Sequence, residues 1–242
     1  MSDLLINLAA ALIFAICGVG ADRSYRWLRR RRRLGHLFAL LSDARATQIV
    51  VSSFGIKTFT PPGARSPARI PPNAPVMAMA EGRALGELMG AIDGIGPSRS
   101  RLVTTLDDEA AEGVTFCIGG PSVNPVSREV LQRHFPQFDI AYPRHVATYG
   151  GIAFSPKRGE DGSLLEDFGF IAGHFEPKRA YIVLCGVWAP GTRVATTALV
   201  HAARRSEVAQ LITARRSFFA VAHAELDGLS QRDLAVRGVW PV

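Results

Sequence analysis

The stretch FCIGGPSVNPVSREVL, residues 116–131, decides how the chain is read. Its first three residues continue an apolar run, two glycines and a proline interrupt it, and Asn124-Pro125 opens a segment with helical periodicity. Unbroken apolar character, without alternation, suits a strand buried on both faces, as at the centre of a parallel sheet. Asparagine at an N-cap with proline in the first turn specifies the helix start. Gly119 and Gly120 permit close approach of a ligand to the backbone. The free N–H groups and positive dipole end of the following helix accept phosphate or carboxylate. Ser122 and Ser127 add hydroxyls. The competing reading is a plain strand-to-helix turn, in which the glycines shape the bend and Asn124 only caps.

A second unit has the same logic. AYIVLCG (180–186) reads as a buried strand, VWAPGT as a loop and RVATTALVHAARR, ending at Arg205, as a helix. Gly186 and Gly191 flank Trp188, an indole able to stack on a base or to fold over the core, and Thr192 is placed to cap the helix. Two such loops at the carboxyl ends of neighbouring parallel strands define the crevice in which open α/β sheets bind ligands. Neither loop carries the lysine and Ser/Thr of a P-loop, and neither is a GxGxxG fingerprint, which disfavours ATP hydrolysis and NAD chemistry.

Around these units the chain alternates strands with helices. TQIVVSSF (47–54) reads as a strand and VMAMAEGRALGELMGAID (76–93) as a helix closed by Gly94 and Gly96; a proline-rich connection at 60–75 separates them. SRLVTTL (100–106) precedes the acidic run Asp107-Asp108-Glu109. GGIAFS (150–155) and DFGFIAGHF (167–175) bracket the turn Gly159-Glu160-Asp161-Gly162 and predict a hairpin. SFFAVAHAEL (217–226) is a further strand, and DLAVRGVW (233–240) closes the sheet edge. The expected fold is therefore α/β: a three-layer, Rossmann-like, mostly parallel sheet.

The stretches IGGPSVN (118–124), EDFGFI (166–171) and LCGVWAPGTRVAT (184–196) together resemble the Rossmann-like ligand-sensing domains of bacterial membrane-anchored or regulator-linked proteins, broadly similar to the SLOG nucleotide-sensor group. The likeness covers about residues 47–226. It implies recognition of a nucleotide-like ligand by the glycine loops and signalling through the attached segment.

LLINLAAALIFAICGVGA, from Leu4 to Ala21, is uncharged and long enough to approach a bilayer crossing. Its cations follow the apolar run, and the leader Met1-Ser2-Asp3 is acidic, so the pattern is that of an uncleaved anchor and not of a cleavable signal. The reading is a transmembrane helix within residues 1–28, a basic juxtamembrane connector at 29–46 and the α/β domain at 47–242. The positive-inside rule then places the domain in the cytoplasm of a single-pass membrane protein, with the lipid bilayer as a partner. The net charge of +7 is concentrated in Arg29 to Arg33. Without a second dense basic patch, a nucleic-acid surface is disfavoured.

Cys17, Cys117 and Cys185 are odd in number, have no CxxC spacing, and sit in apolar runs. His134, His145, His174, His201 and His223 have no metal-ligand spacing. No metal and no cofactor is expected. Glu129, Glu166 and Asp167 are candidates for acid–base work, although solvated charge is the commoner role for such residues. No catalytic signature such as GxSxG is present. Two functions follow: a membrane-tethered module that senses a nucleotide or another small anionic ligand, and a nucleoside-processing hydrolase or transferase on the same scaffold. Self-association is left open.

Overall fold

The computed structural model describes residues 34–42, 46–51, 78–95, 100–103, 112–142, 144–228 and 230–242, together with positions 25, 28, 29, 32, 44, 58, 59, 68 and 69. In chain order the elements are α1 (Gly35–Ser42), β1 (Thr47–Val51), β2 (Thr58–Phe59), β3 (Ala68–Arg69), α2 (Met79–Asp93), β4 (Ser100–Val103), β5 (Gly113–Ile118) and α3 (Pro125–His134). They continue with β6 (Phe138–Ala141), β7 (Val146–Tyr149), β8 (Ile152–Phe154), β9 (Glu166–Phe175), β10 (Arg179–Gly186), α4 (Ala189–Val200), α5 (Glu207–Thr213), β11 (Phe218–Asp227) and β12 (Ser230–Pro241).

Seven strands form one sheet in the order β12-β11-β9-β10-β5-β1-β4. The half from β10 to β4 is parallel, and β10, β9, β11 and β12 pair antiparallel. The sheet is thus mixed, which corrects the expectation of a mostly parallel, Rossmann-like one. The cause is connection length. Only Glu176, Pro177 and Lys178 separate β9 from β10, whereas a parallel crossover needs a dozen residues or more. The connection from β11 to β12 is shorter still, two residues, and contains Gly228 at φ +60°.

GGIAFS and DFGFIAGHF do not form the predicted hairpin. β8 pairs with β7 in a separate antiparallel β6-β7-β8 sheet, and β9 lies between β10 and β11. The turn between them is held by an isolated bridge from Arg158 to Leu164 and by backbone bonds from Gly159 N to Ser163 O and from Leu165 N to Lys157 O, both at 2.8 Å. β6, β7 and α5 were absent from the sequence reading; α4 ends at Val200, short of the predicted Arg205.

Alternation along the strands divides the interior into two cores. Phe116, Ile118, Ile171, Ile182, Leu184, Phe218 and Ala220 point to one face and pack with α1, α2, α4 and α5. Cys117, Phe170, Ala172, Val183, Cys185, Phe219 and Val221 point to the other, where α3 and the small sheet cover them. Phe219 is the hub of this second core: Tyr149 stacks on it at 3.9 Å, and Phe138 lies 5.0 Å away.

Among the described residues no helix is long and apolar enough to cross a membrane. The stretch Leu4–Ala21, read as an anchor, lies outside the described residues. The expected transmembrane helix, and the single-pass membrane location and cytoplasmic placement built on it, are corrected to that extent: among the described residues no spanning helix carries them.

Candidate functional site

The two glycine loops meet. β5 and β10 are adjacent and parallel, from Arg179 opposite Gly113 to Leu184 opposite Ile118, so both loops leave the same end of the sheet. Gly119 N–H donates to Leu184 O at 3.0 Å. A Cβ placed on Gly120 would lie 3.8 Å from Gly186 O, 3.9 Å from Tyr142 Oη and 4.0 Å from Cys185 Cβ.

Asn124 holds the first loop from beneath. It is fully buried, and its Oδ1 accepts from Val126 N and Ser127 N, both at 3.1 Å. Its Nδ2 donates to Ile118 O at 3.0 Å and Val50 O at 3.3 Å, tying the turn to β5 and β1. Ser127 Oγ donates to Gly119 O at 2.8 Å. With Pro125 lacking an N–H, these bonds occupy the donors of the first turn of α3, so the helix N-terminus is not an open anion site. Gly119 has φ +106°, a conformation that favours glycine.

The second loop is likewise closed by the protein's own atoms. Asp167, fully buried at the start of β9, accepts from Gly191 N at 2.7 Å and from Phe168 N at 2.8 Å. Its carboxylate sits where the N-terminus of α4 attracts negative charge. Burial pushes the Asp167 carboxyl up to about 7, against the opposing pull of the Phe168, Gly191 and Trp188 N–H groups. The sequence offers Asp167 as an acid–base candidate or, more commonly, a solvated charge; its partner is 24 residues away.

Gly186, Gly191 and Gly169 have a packing role. A Cβ on Gly186 would overlap the Gly191 and Thr192 backbone, and one on Gly191 would overlap Phe168 O. A Cβ on Gly169 would overlap Gly191 O and Ala195 N. These glycines let the first turns of α4 lie directly on β9 and β10. Thr192 is buried inside α4 and is not its cap. The N-cap is Trp188, whose side chain makes no capping bond.

Trp188 belongs instead to an aromatic and cationic group over the loops. The His145 ring stacks on its indole at 3.7 Å and 27°, and the Arg158 guanidinium lies 4.4 Å from the ring centroid. Tyr142 meets His145 edge-on at 5.6 Å, and Ser122 Oγ donates to Tyr142 Oη at 3.4 Å. His145 has φ +52°, and its Nδ1 is buried with no hydrogen-bond partner. Burial raises the Tyr142 hydroxyl above its ordinary value, with Ser122 acting in the opposite sense. Tyr142 and Arg158 carry no sequence signal, and His145 stands in the sequence only as a histidine without metal-ligand spacing, because they arrive from the β6–β7 turn and the segment after β8, neither of which carries a motif.

Of the eight residues nominated from sequence, Gly120, Ser122, Gly186 and Trp188 lie in or against this group, while Gly119, Asn124, Gly191 and Thr192 build the frame beneath it. The nominated carboxylates are engaged elsewhere. Glu129 forms an exposed ion pair with Arg133 at 3.0 Å. Glu166 contacts His223 at 3.1 Å and Lys157 at 3.6 Å, and the His223 bond foremost holds its carboxyl below the usual range. Arg237 Nη2 donates to His223 Nδ1 at 3.3 Å, which leaves the proton on Nε2, facing Glu166. Among the described residues, the donors suited to a metal, His134, His174 and Glu176, gather at the other end of the sheet.

No family model matches the chain, and no curated protein matches it. A solved structure described as "Structure of CpGH84D" is similar over 66% of this chain and 18% of its own length, at 13% identity and a TM-score of 0.33. That likeness is too slight to define either fold or function.

Proposed function

We propose that this protein is a binding module that senses a small anionic ligand of the nucleotide class in the crevice between the Gly120 loop and Trp188. One observation carries the reading. Gly119, Gly186 and Gly191 are each explained by backbone conformation or helix packing, but Gly120 is not: a Cβ there would meet only ordinary contacts, Gly186 O at 3.8 Å, Tyr142 Oη at 3.9 Å and Cys185 Cβ at 4.0 Å. A glycine without a structural need, at the carboxyl end of a parallel strand, fits close approach of a ligand to the backbone. Arg158 supplies positive charge, and Ser122, Tyr142 and His145 Nδ1 supply polar partners.

A nucleoside-processing reaction has weaker support. The two glutamates nominated for it are each held in an ion pair, and neither is among the groups bordering the crevice.

The test is calorimetric titration of the full chain with mono-, di- and triphosphate nucleosides, with inorganic pyrophosphate as the control for charge alone. Gly120→Val is expected to abolish binding while the circular dichroism of the fold persists. Equal affinity in a folded Gly120→Val protein would defeat the reading.

A further inference from the structure

At the end of the sheet opposite the glycine loops, His134 closes α3, His174 lies near the end of β9, and Glu176 begins the turn into β10. One ligand atom from each lies within 4.8 Å of the others. The two imidazoles stack at 3.6 Å and 17°, and His174 Nε2 is 3.5 Å from Glu176 Oε1. We infer that His134, His174 and Glu176 form a binding site for a divalent transition-metal ion of the zinc class.

The donor chemistry selects that class: two imidazoles and one carboxylate suit zinc and its neighbours, whereas calcium and magnesium take oxygen donors. Donor atoms sharing a tetrahedral zinc at ~2.1 Å lie ~3.4 Å apart; the three donors already lie within 4.8 Å of one another, and binding turns the two rings out of their stacked arrangement so that their lone pairs converge.

The surroundings fix the orientation of one ligand. Ser217 Oγ is 3.2 Å from His174 Nδ1 and accepts the Phe175 N–H at 3.2 Å. With its second lone pair Ser217 Oγ can accept a hydrogen bond from Nδ1–H, leaving Nε2, the atom facing Glu176, free to bind the ion. A partner on the remote ring nitrogen is the usual support for a metal-bound histidine. Three protein donors leave a tetrahedral ion one position for water or a ligand. The His174 side chain is 19% exposed and that of Glu176 41%, so the ion can enter from solvent. Sequence spacing concealed the group because His134 and His174 lie on different elements, joined only by the fold.

The test uses the full chain and the metal alone. Titration with zinc chloride at pH 7.5 is expected to show one equivalent bound. That equivalent is lost in His174→Ala and His134→Ala, and weakened about tenfold in Ser217→Ala. Cobalt substitution should give visible absorbance with a shifted spectrum in Glu176→Gln, and lowering the pH to 5 should release the metal as the histidines protonate. Unchanged zinc affinity in a folded His174→Ala protein overturns the assignment. If that variant does not fold, paramagnetic broadening by substoichiometric cobalt decides on the native chain: broadening of the His134 and His174 ring signals supports the site, and broadening confined to other histidines overturns it.

Discussion

Asp167 Oδ2 accepts the backbone N–H of Gly191 at 2.7 Å, so the anion at the N-terminus of α4 belongs to the protein itself. That bond joins the start of β9 to the first turn of α4. It also places a carboxylate in a fully buried position.

The first prediction is a pH dependence of stability. Burial raises the Asp167 carboxyl from 3.8 to about 7 in the folded protein. A raised value means the folded state holds the proton more tightly than the unfolded chain. The resulting stability is fully present below pH 3.8 and is lost as the pH rises through about 7. The whole span corresponds to about 4 kcal/mol. Urea denaturation of the wild type and Asp167→Asn across this range should show the difference between them shifting in favour of the wild type as the pH falls. A difference that stays constant would mean the carboxylate is ionised throughout, held by its N–H partners.

Asn124→Ala should be costly for the same reason of burial. An exposed helix cap is worth about 0.5–2 kcal/mol. Here the side chain accepts two hydrogen bonds and donates two, all out of contact with water. Its loss strands polar groups on α3, β5 and β1 together, so about 2–4 kcal/mol is expected. A loss below 1 kcal/mol in chemical denaturation, on the order of an exposed cap alone, would contradict the buried network.

These two residues mark the limit of what the sequence could disclose. Asn124-Pro125 announced a helix start through a local rule, and the structure keeps it. The burial of β5 and β10 was visible in VTFCI and YIVLC, and their continuous apolar runs located both loops. Asp167 gave no such signal, because its meaning depends on Gly191, brought to it only by the packing of α4 on β9. The antiparallel half of the sheet was within reach, since Glu176-Pro177-Lys178 is too short for any crossover. It was missed because apolar runs such as FGFIAGHF look alike in either orientation. His145 and Arg158 reach Trp188 from segments without a motif, so the aromatic group could not be read from the chain.

Cys117 and Cys185 are expected to be chemically silent. Both are free and buried. Burial pushes the Cys185 thiol up to about 12 and raises Cys117 too, with Cys185 a lesser contributor. Thiolate is the reactive form, and almost none exists at neutral pH under these conditions. N-ethylmaleimide at pH 7.5, followed by peptide mapping, should leave both peptides unmodified in the native protein and label both in urea. Rapid native labelling of Cys185 would place it in the open crevice instead of beneath it.

The last prediction separates the two kinds of glycine. A methyl group on Gly191 would overlap Phe168 O and sit 2.8 Å from Asp167 Oδ2 and 2.9 Å from Gly186 Cα. Two of those atoms are backbone and the third is a buried carboxylate bonded to Gly191 itself, so none can retreat without lifting α4 from the sheet. Gly191→Ala should therefore lose about 3 kcal/mol or more, the upper range for forcing a methyl group into a packed site. A methyl group on Gly120 meets its nearest neighbours at 3.8–4.0 Å, which is ordinary contact. Gly120→Ala should stay within about 0.5 kcal/mol of the wild type. Urea denaturation of both variants makes the comparison. If Gly120→Ala proves as damaging as Gly191→Ala, then Gly120 is held by packing like the other glycines, and the crevice loses the residue on which its role in binding rests.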